Sequence, residues 1–132
     1  MTMLHHVSLG VRDLCLSATF YDAALGAIGF RRVFEDKTAI GYGLHDGKDI
    51  LCLKLRPKGF IPDDGFHLAF CANSNSAVDT FYRLALQAGG KCNGPPGHRP
   101  HYGQDYYAAF LFDPDGHKIE VVFNELPASR TA

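Results

Sequence analysis

Long apolar runs, runs of basic residues and paired cysteines are all missing from this sequence, and each absence removes a class of function. No stretch of the 132 residues is apolar over the roughly 20 positions that a bilayer-spanning helix needs, so no membrane role is expected. The opening Met1-Thr2-Met3-Leu4-His5-His6 has neither the basic nor the apolar region of a signal peptide, which gives the expectation of a cytoplasmic protein. The formal net charge is -1 and Lys and Arg nowhere form a run, so charge alone draws the chain neither to nucleic acid nor to an anionic membrane. The four cysteines, Cys15, Cys52, Cys71 and Cys92, contain no CxxC pair; neither a zinc knuckle nor a thioredoxin-type motif is supported, and free thiols are expected. What remains is an ordinary globular balance, 46% hydrophobic and 20% charged, in a length that suits one compact domain or two very small modules sharing a core.

The strongest positive signal is self-similarity. His6-Val7-Ser8-Leu9 aligns with His67-Leu68-Ala69-Phe70, 61 residues later. At the same offset Thr19-Phe20-Tyr21 meets Thr80-Phe81-Tyr82, Ala24-Leu25 meets Ala85-Leu86, and Gly29 falls on Gly90. Two copies are too few for a solenoid, so a pseudo-twofold pair of modules is the better reading. Module one is expected at about residues 3–56, a linker at 57–65, module two at about 66–124 and a C-terminal tail at 125–132, all within one domain.

Each module reads as βαβββ, an α+β pattern. Leu4 to Val11 alternates as a half-buried strand, with Val7, Leu9 and Val11 on one face and His6, Ser8 and Gly10 on the other. Asp13 is placed to cap a helix carrying Leu14, Ala18, Phe20, Tyr21, Ala24 and Leu25, which Gly26 or Gly29 ends. Strands follow at about Arg31 to Glu35, Ala39 to Leu44 and Asp49 to Leu55, with His45-Asp46-Gly47-Lys48 as a turn. In the second module His67 to Cys71 is a strand and Ser76-Ala77-Val78-Asp79 resembles a capping box. The helix behind it runs toward Gly89-Gly90. Tyr106 to Phe112 and Lys118 to Phe123 form a hairpin across Asp113-Pro114-Asp115-Gly116, with Pro presetting φ and Gly accepting a positive one. Asn93 to Asp105 is a Pro/Gly-rich loop, long enough to be a binding loop.

Strand parity then separates core residues from site residues. If Val7, Leu9 and Val11, Leu51, Leu53 and Leu55, Leu68 and Phe70, and Ile119, Val121 and Phe123 pack on the helices, the opposite face receives His6, Cys52, His67 and Glu120 from four different strands. Two imidazoles and a carboxylate make a facial triad with open coordination positions, suited to Fe, Mn, Ni, Co or Zn as the divalent ion. Open positions are what catalysis requires, because substrate or water must reach the metal. The bland alternative is a wet sheet face, but the symmetry-related placement of His6 and His67 argues against it.

These motifs, His6-Val7-Ser8-Leu9-Gly10-Val11-Arg12-Asp13-Leu14, Phe20-Tyr21, His67-Leu68-Ala69-Phe70 and Asp113-Pro114-Asp115-Gly116-His117-Lys118-Ile119-Glu120, resemble those of the vicinal oxygen chelate superfamily. That group includes glyoxalase I, bleomycin-resistance proteins, fosfomycin-resistance thiol transferases, methylmalonyl-CoA epimerase and extradiol dioxygenases. The resemblance covers about residues 3 to 124 and implies paired βαβββ modules whose sheets curve around a metal. It places the ligands on the first and last strands of each module: His6, His67, Glu120 and, by parity, Cys52. Glyoxalase I has a carboxylate at the Cys52 position, so two His and one Glu match the thiol transferases and extradiol dioxygenases better. The segment from Pro95 to Phe112 resembles a glyoxalase-like branch.

The resemblance also implies a homodimer in which the first module of one chain faces the second of the other. His6 would then join His67 and Glu120 of the partner subunit, and the Ile50, Ala69 and Val122 positions would be buried around the metal. Cys52 reads either as a buried small hydrophobe or as a soft ligand beside the substrate. His98, Arg99, His101 and Tyr102 read either as a solvated loop or as a lid whose Arg99 meets a substrate carboxylate or phosphate. Cys71, Tyr21 and Tyr82 read as packing residues, and His5, His45 and His117 as surface residues. Of Tyr106 and Tyr107, parity sends one to the site without saying which. The functions in contention are a metal-dependent lyase, isomerase or dioxygenase acting on two adjacent oxygens of a small substrate, with Glu120 as ligand and, if displaced, base; a drug- or metabolite-binding resistance protein; and a structural metal site.

Overall fold

The computed structural model describes residues 3–59 and 61–125; Met1, Thr2 and most of the expected tail, 126–132, lie outside the described residues. The chain runs β1 (Val7–Val11), α1 (Leu14–Gly26), β2 (Arg31–Glu35), β3 (Ala39–His45), β4 (Lys48–Leu55), β5 (Leu68–Cys71), α2 (Asn75–Gln87), β6 (Lys91–His98), β7 (Tyr106–Phe112) and β8 (Lys118–Asn124). It forms two four-stranded mixed sheets of identical topology, β1-β4-β3-β2 and β5-β8-β7-β6. In each the first strand pairs parallel with the last and the remaining neighbours are antiparallel. No helix among the described residues is long and apolar enough to cross a membrane.

The pseudo-twofold is written into the helices. Asp13 accepts from the Leu16 backbone N–H at 3.0 Å, and Ser74, 61 positions later, accepts from Ala77 at 3.0 Å. The buried positions Ser17, Phe20 and Ala24 of α1 recur as Val78, Phe81 and Ala85 of α2, spaced three and four apart on one helical face. The cap of α2 is therefore Ser74, not Ser76, which lies inside the helix. Both serines have the right chemistry, and the extended backbone at Ser74 decides between them. The turn after α2 is one residue shorter than the turn after α1. Phe30 N–H bonds Leu25 O and Gly90 N–H bonds Ala85 O, so the positive-φ glycine matching Gly29 is Gly89 rather than Gly90.

The helices pack on one another and on the inward faces of both sheets, giving a single core that includes Leu9, Phe20, Tyr21, Leu53, Phe81, Leu111 and Val121. A polar seam joins the modules beside it. The Asp113–Gly116 turn of module two docks on module one. Tyr21 Oη donates to Asp113 Oδ2 at 2.7 Å, Arg12 N–H to Asp115 Oδ1 at 2.8 Å, and His117 Nε2 to Gly10 O at 2.8 Å. His117 is thus buried rather than solvated, and Tyr21 bonds as well as packs. A hairpin motif announces a turn but not what the turn lies against. Cys71, expected inside, is exposed, because the face it shares with His67 has no helix over it.

Asn93 to Asp105 is only partly a loop. The chain through His98 is strand β6, and Pro95 and Pro96 are tolerated there because β6 is an edge strand whose pairing with β7 skips from Gly94 to Gly97. Only the tight turns between Arg99 and Asp105 remain irregular, closed by Arg99 N–H to Tyr106 O at 2.8 Å.

Candidate metal and substrate site

Ala69 lies opposite Glu120 in the β5–β8 ladder, and Ser8 lies opposite Cys52 in the β1–β4 ladder. Ser8 and Ala69 are the repeat partners, so the backbone makes Cys52 the module-one counterpart of Glu120, as parity implied. The side chains at these two places behave differently. Glu120, 2% exposed, is held at both oxygens: His67 Nε2 donates to Oε1 at 2.9 Å, and Tyr106 Oη donates to Oε2. Cys52, 7% exposed, is packed beside Gly41, and its nearest hydrogen-bonding atom is the Leu53 carbonyl, at 3.9 Å. Burial pushes its thiol up, and the nearby Asp49 adds to this.

Tyr106 is the residue that sequence reasoning left undecided. The β7–β8 register puts Tyr106, Ala108 and Phe110 on the Glu120 face. Tyr107 faces α2, where its hydroxyl donates to Asp79 Oδ1 at 2.7 Å. Burial and then the adjacent carboxylate push the Tyr106 phenol well above its ordinary value, so it stays a neutral donor to Glu120 across the working pH range. A hollow of about 300 Å³ opens in front of this group, lined by His67, Glu120, Tyr106, Tyr102, Phe110 and Asn93. Tyr102 lies 5.3 Å from the Tyr106 ring, centroid to centroid, and His101 4.1 Å from Tyr102, so an aromatic row runs from Glu120 to the rim.

Arg99 and His101 border a second hollow that shares Asn93, Tyr102 and Phe110 with the first. The Arg99 guanidinium is engaged by its own segment, donating to Pro95 O at 2.7 Å and lying over the Phe110 ring 5.3 Å from its centroid. His6 stands elsewhere: its Nδ1 is 2.9 Å from Nδ1 of His5, on the exposed approach to β1. Among the described residues no three His, Cys, Asp or Glu side chains of one chain are close enough to share a metal ion. One chain therefore brings together His67, Glu120, Tyr106 and Tyr102, and does not bring His6 or Cys52 to them.

The donor set at Glu120 suits a divalent ion. A carboxylate this buried usually has a cationic partner, yet its hydrogen-bond partners are a phenol and an imidazole. The adjacent Nε2 and Oε1 are the atoms a Zn- or Fe-type ion takes as ligands. Tyr106, donating to the other oxygen, holds the carboxylate's orientation.

Comparison with known proteins gives a consistent picture. Residues 3–121 match the family model of the Glyoxalase/Bleomycin resistance protein/Dioxygenase superfamily. A crystal structure of a glyoxalase/bleomycin resistance protein from Albidiferax ferrireducens is 33% identical with a TM-score of 0.79, over 94% of this chain and 100% of that one. A glyoxalase-related enzyme from Fulvimarina pelagi is 24% identical with a TM-score of 0.74, over 97% and 94%. A genomically encoded fosfomycin resistance protein from Listeria monocytogenes shares the fold at 17% identity and a TM-score of 0.69, over 96% of each chain. No curated protein matches.

Proposed function

The chain belongs to the glyoxalase/bleomycin resistance protein/dioxygenase superfamily, and from that premise we propose that it is a metal-dependent enzyme acting on a small molecule with two adjacent oxygens, by lyase, isomerase or dioxygenase chemistry. The observation that carries this reading is the buried Glu120 carboxylate, held between His67 and Tyr106 at the floor of an open hollow. His67 and Glu120 are two ligands of the divalent ion. His6 of the partner subunit is the third, in a homodimer that sets the first module of one chain against the second module of the other. A symmetric contact of this kind covers the two sheet faces that carry no helix, and two-fold pairing is the commonest oligomer type.

When bound, the ion supplies Lewis-acid stabilisation of negative charge developing on adjacent substrate oxygens. The protein's own groups do the rest. The neutral Tyr106 hydroxyl holds one oxygen of Glu120 and so fixes the direction of the other. A Glu120 oxygen freed from its ligand role is the base for a proton next to a substrate carbonyl. Tyr102 and Phe110 wall the hollow. Arg99 and His101 form the rim, and Arg99 becomes a substrate contact if it leaves Pro95 for an anionic group. Cys52 contributes a small apolar surface next to the ligand.

The experiment is a mixing test. His6→Ala chains and Glu120→Ala chains, each expected to hold little metal alone, are combined under conditions that exchange subunits. A shared site regains one intact centre per mixed dimer, hence half the wild-type metal. No recovery despite proven heterodimers, or a monomer in sedimentation, overturns the shared site. A second reading, a drug- or metabolite-binding protein without turnover, is favoured by the aromatic row from Tyr106 to His101. It predicts tight ligand binding that survives loss of the metal.

A further inference from the structure

A second kind of hollow lies away from Glu120. A cavity of about 390 Å³ is bounded by Ser8 and Gly10 of β1, Lys54 of β4 and Arg56 just after it, Pro62 of the linker, and Phe66 and His117 of module two. Its walls are apolar at the linker and cationic at β4. Elsewhere the basic side chains near acids are paired with them: Arg12 with Asp115, Arg31 with Asp46, Arg32 with Asp22 and Lys118 with Asp64. Lys54 and Arg56 meet no carboxylate among the described residues; the Arg56 guanidinium donates to the Leu55 carbonyl, at 2.8 Å. The fold makes room for this. A Cβ at Gly10 would lie 3.4 Å from Arg56 Cγ, so the arginine stem runs beside β1 at this point. Gly10 is also the residue whose carbonyl holds His117, which fixes the cavity's floor.

From this geometry we infer that the cavity between the modules is a binding site for a small oxyanion, a phosphate or carboxylate group, held by Lys54 and Arg56 with the Ser8 hydroxyl. Two unneutralised cations on one wall of a cleft with low-dielectric walls focus a positive potential into it. An ammonium and a guanidinium together supply up to eight N–H donors, against at most four oxygens on the anion. The anion has two sources: a free ion, or the anionic end of the substrate. The second gains weight from spacing. Lys54 stands two residues beyond Cys52 on the same face of β4, about 6.6 Å along the strand. Under the dimer reading above, that face lies opposite Glu120 of the partner subunit. A substrate with adjacent oxygens at one end and an acid group at the other would span the interval.

The test uses inorganic phosphate as the probe, on the whole protein at physiological ionic strength, by calorimetry and by following the His117 imidazole in NMR spectra. Saturable binding that shifts His117 is expected. Lys54→Met and Arg56→Met keep the stems and should each weaken it about tenfold, the cost of one charge-assisted hydrogen bond. Both residues are exposed, so these variants should unfold at the wild-type temperature. Non-saturable binding, or equal affinity in the double variant, overturns the site. Because the cavity does not include His67 or Glu120, metal-stripped protein and His67→Ala should still bind phosphate. Failure of the metal reading therefore leaves this result standing, and the reverse holds too. A 2-oxo dicarboxylate separates the two sources. If metal tightens its binding and both Lys54→Met and His67→Ala weaken it, the anion site is the substrate's far end. Phosphate binding without that coupling assigns it to a free ion.

Discussion

The two modules share a topology, a helical cap at the same repeat position and a register that sets Ser8 against Cys52 and Ala69 against Glu120, yet only the second has assembled chemistry. In module two the histidine before the first strand reaches the carboxylate of the last strand. In module one the equivalent histidine lies against its sequence neighbour, and the last strand offers a thiol. A two-module chain can duplicate a backbone and still divide labour: one face holds the acid, and the other carries uncompensated positive charge at Lys54 and Arg56. Backbone registers depend on patterns spread over many residues, so they survive divergence. A site depends on single side chains, and one substitution at Cys52 or Glu120 is enough to separate the halves.

The largest expected effect breaks the comparison at its centre. Glu120→Ala should lower metal affinity at least 10–100-fold, the range that even an outer-contact loss produces. Cys52→Ala, at the equivalent place in module one, should leave metal content unchanged. Elemental analysis of the two purified variants decides this, and equal losses would make Cys52 a ligand. Next comes Tyr106→Phe. The carboxylate keeps its histidine but loses its second hydrogen bond, so affinity should fall about tenfold and stability by about 1–2 kcal/mol. Metal titration and chemical denaturation read the two effects, and unchanged metal affinity would reduce Tyr106 to a packing residue.

A smaller effect tests how alike the modules are rather than how they differ. Asp13→Ala and Ser74→Ala each remove one helix cap and should each cost about 1 kcal/mol. Ser76→Ala should cost much less, and denaturant midpoints report all three. The smallest effect concerns acid stability. Burial pulls the Asp22 carboxyl upward, but hydrogen bonds from Arg32 and Tyr42 outweigh it and hold the group below its ordinary value. A lowered carboxyl stabilises the fold above the usual aspartate range and loses that contribution as pH falls through the lowered value. Asp22→Asn should therefore flatten the stability profile below about pH 4 and leave its shape near pH 7 unchanged, as thermal unfolding across pH would show.

The alternating strands and the 61-residue repeat were enough to read the paired βαβββ modules, most strand limits and the inward stripe of Val11, Leu53, Ile119 and Val121. Those features are periodic, and burial enforces the period whatever the remaining detail. The facing of His67 and Glu120 was readable for the same reason, since parity alone sends both to one face. Other features had no periodic signature. Tyr106 and Tyr107 are adjacent and chemically alike, and only the β7–β8 register decides which meets Glu120. His117 follows a turn that reads as solvated, and it is buried because that turn docks on the other module across 107 positions of sequence. Pro95 and Pro96 read as loop, and an edge position makes them strand. Strand parity puts Lys54 on the face of Cys52, but only the fold sets Lys54 and Arg56 around one cavity with no carboxylate beside them among the described residues. Sequence by itself determined the inward stripes of the alternating strands, because those follow from local geometry repeated along the chain. Tertiary structure alone decided which polar groups meet, because those contacts join segments whose separation leaves no trace in the local pattern.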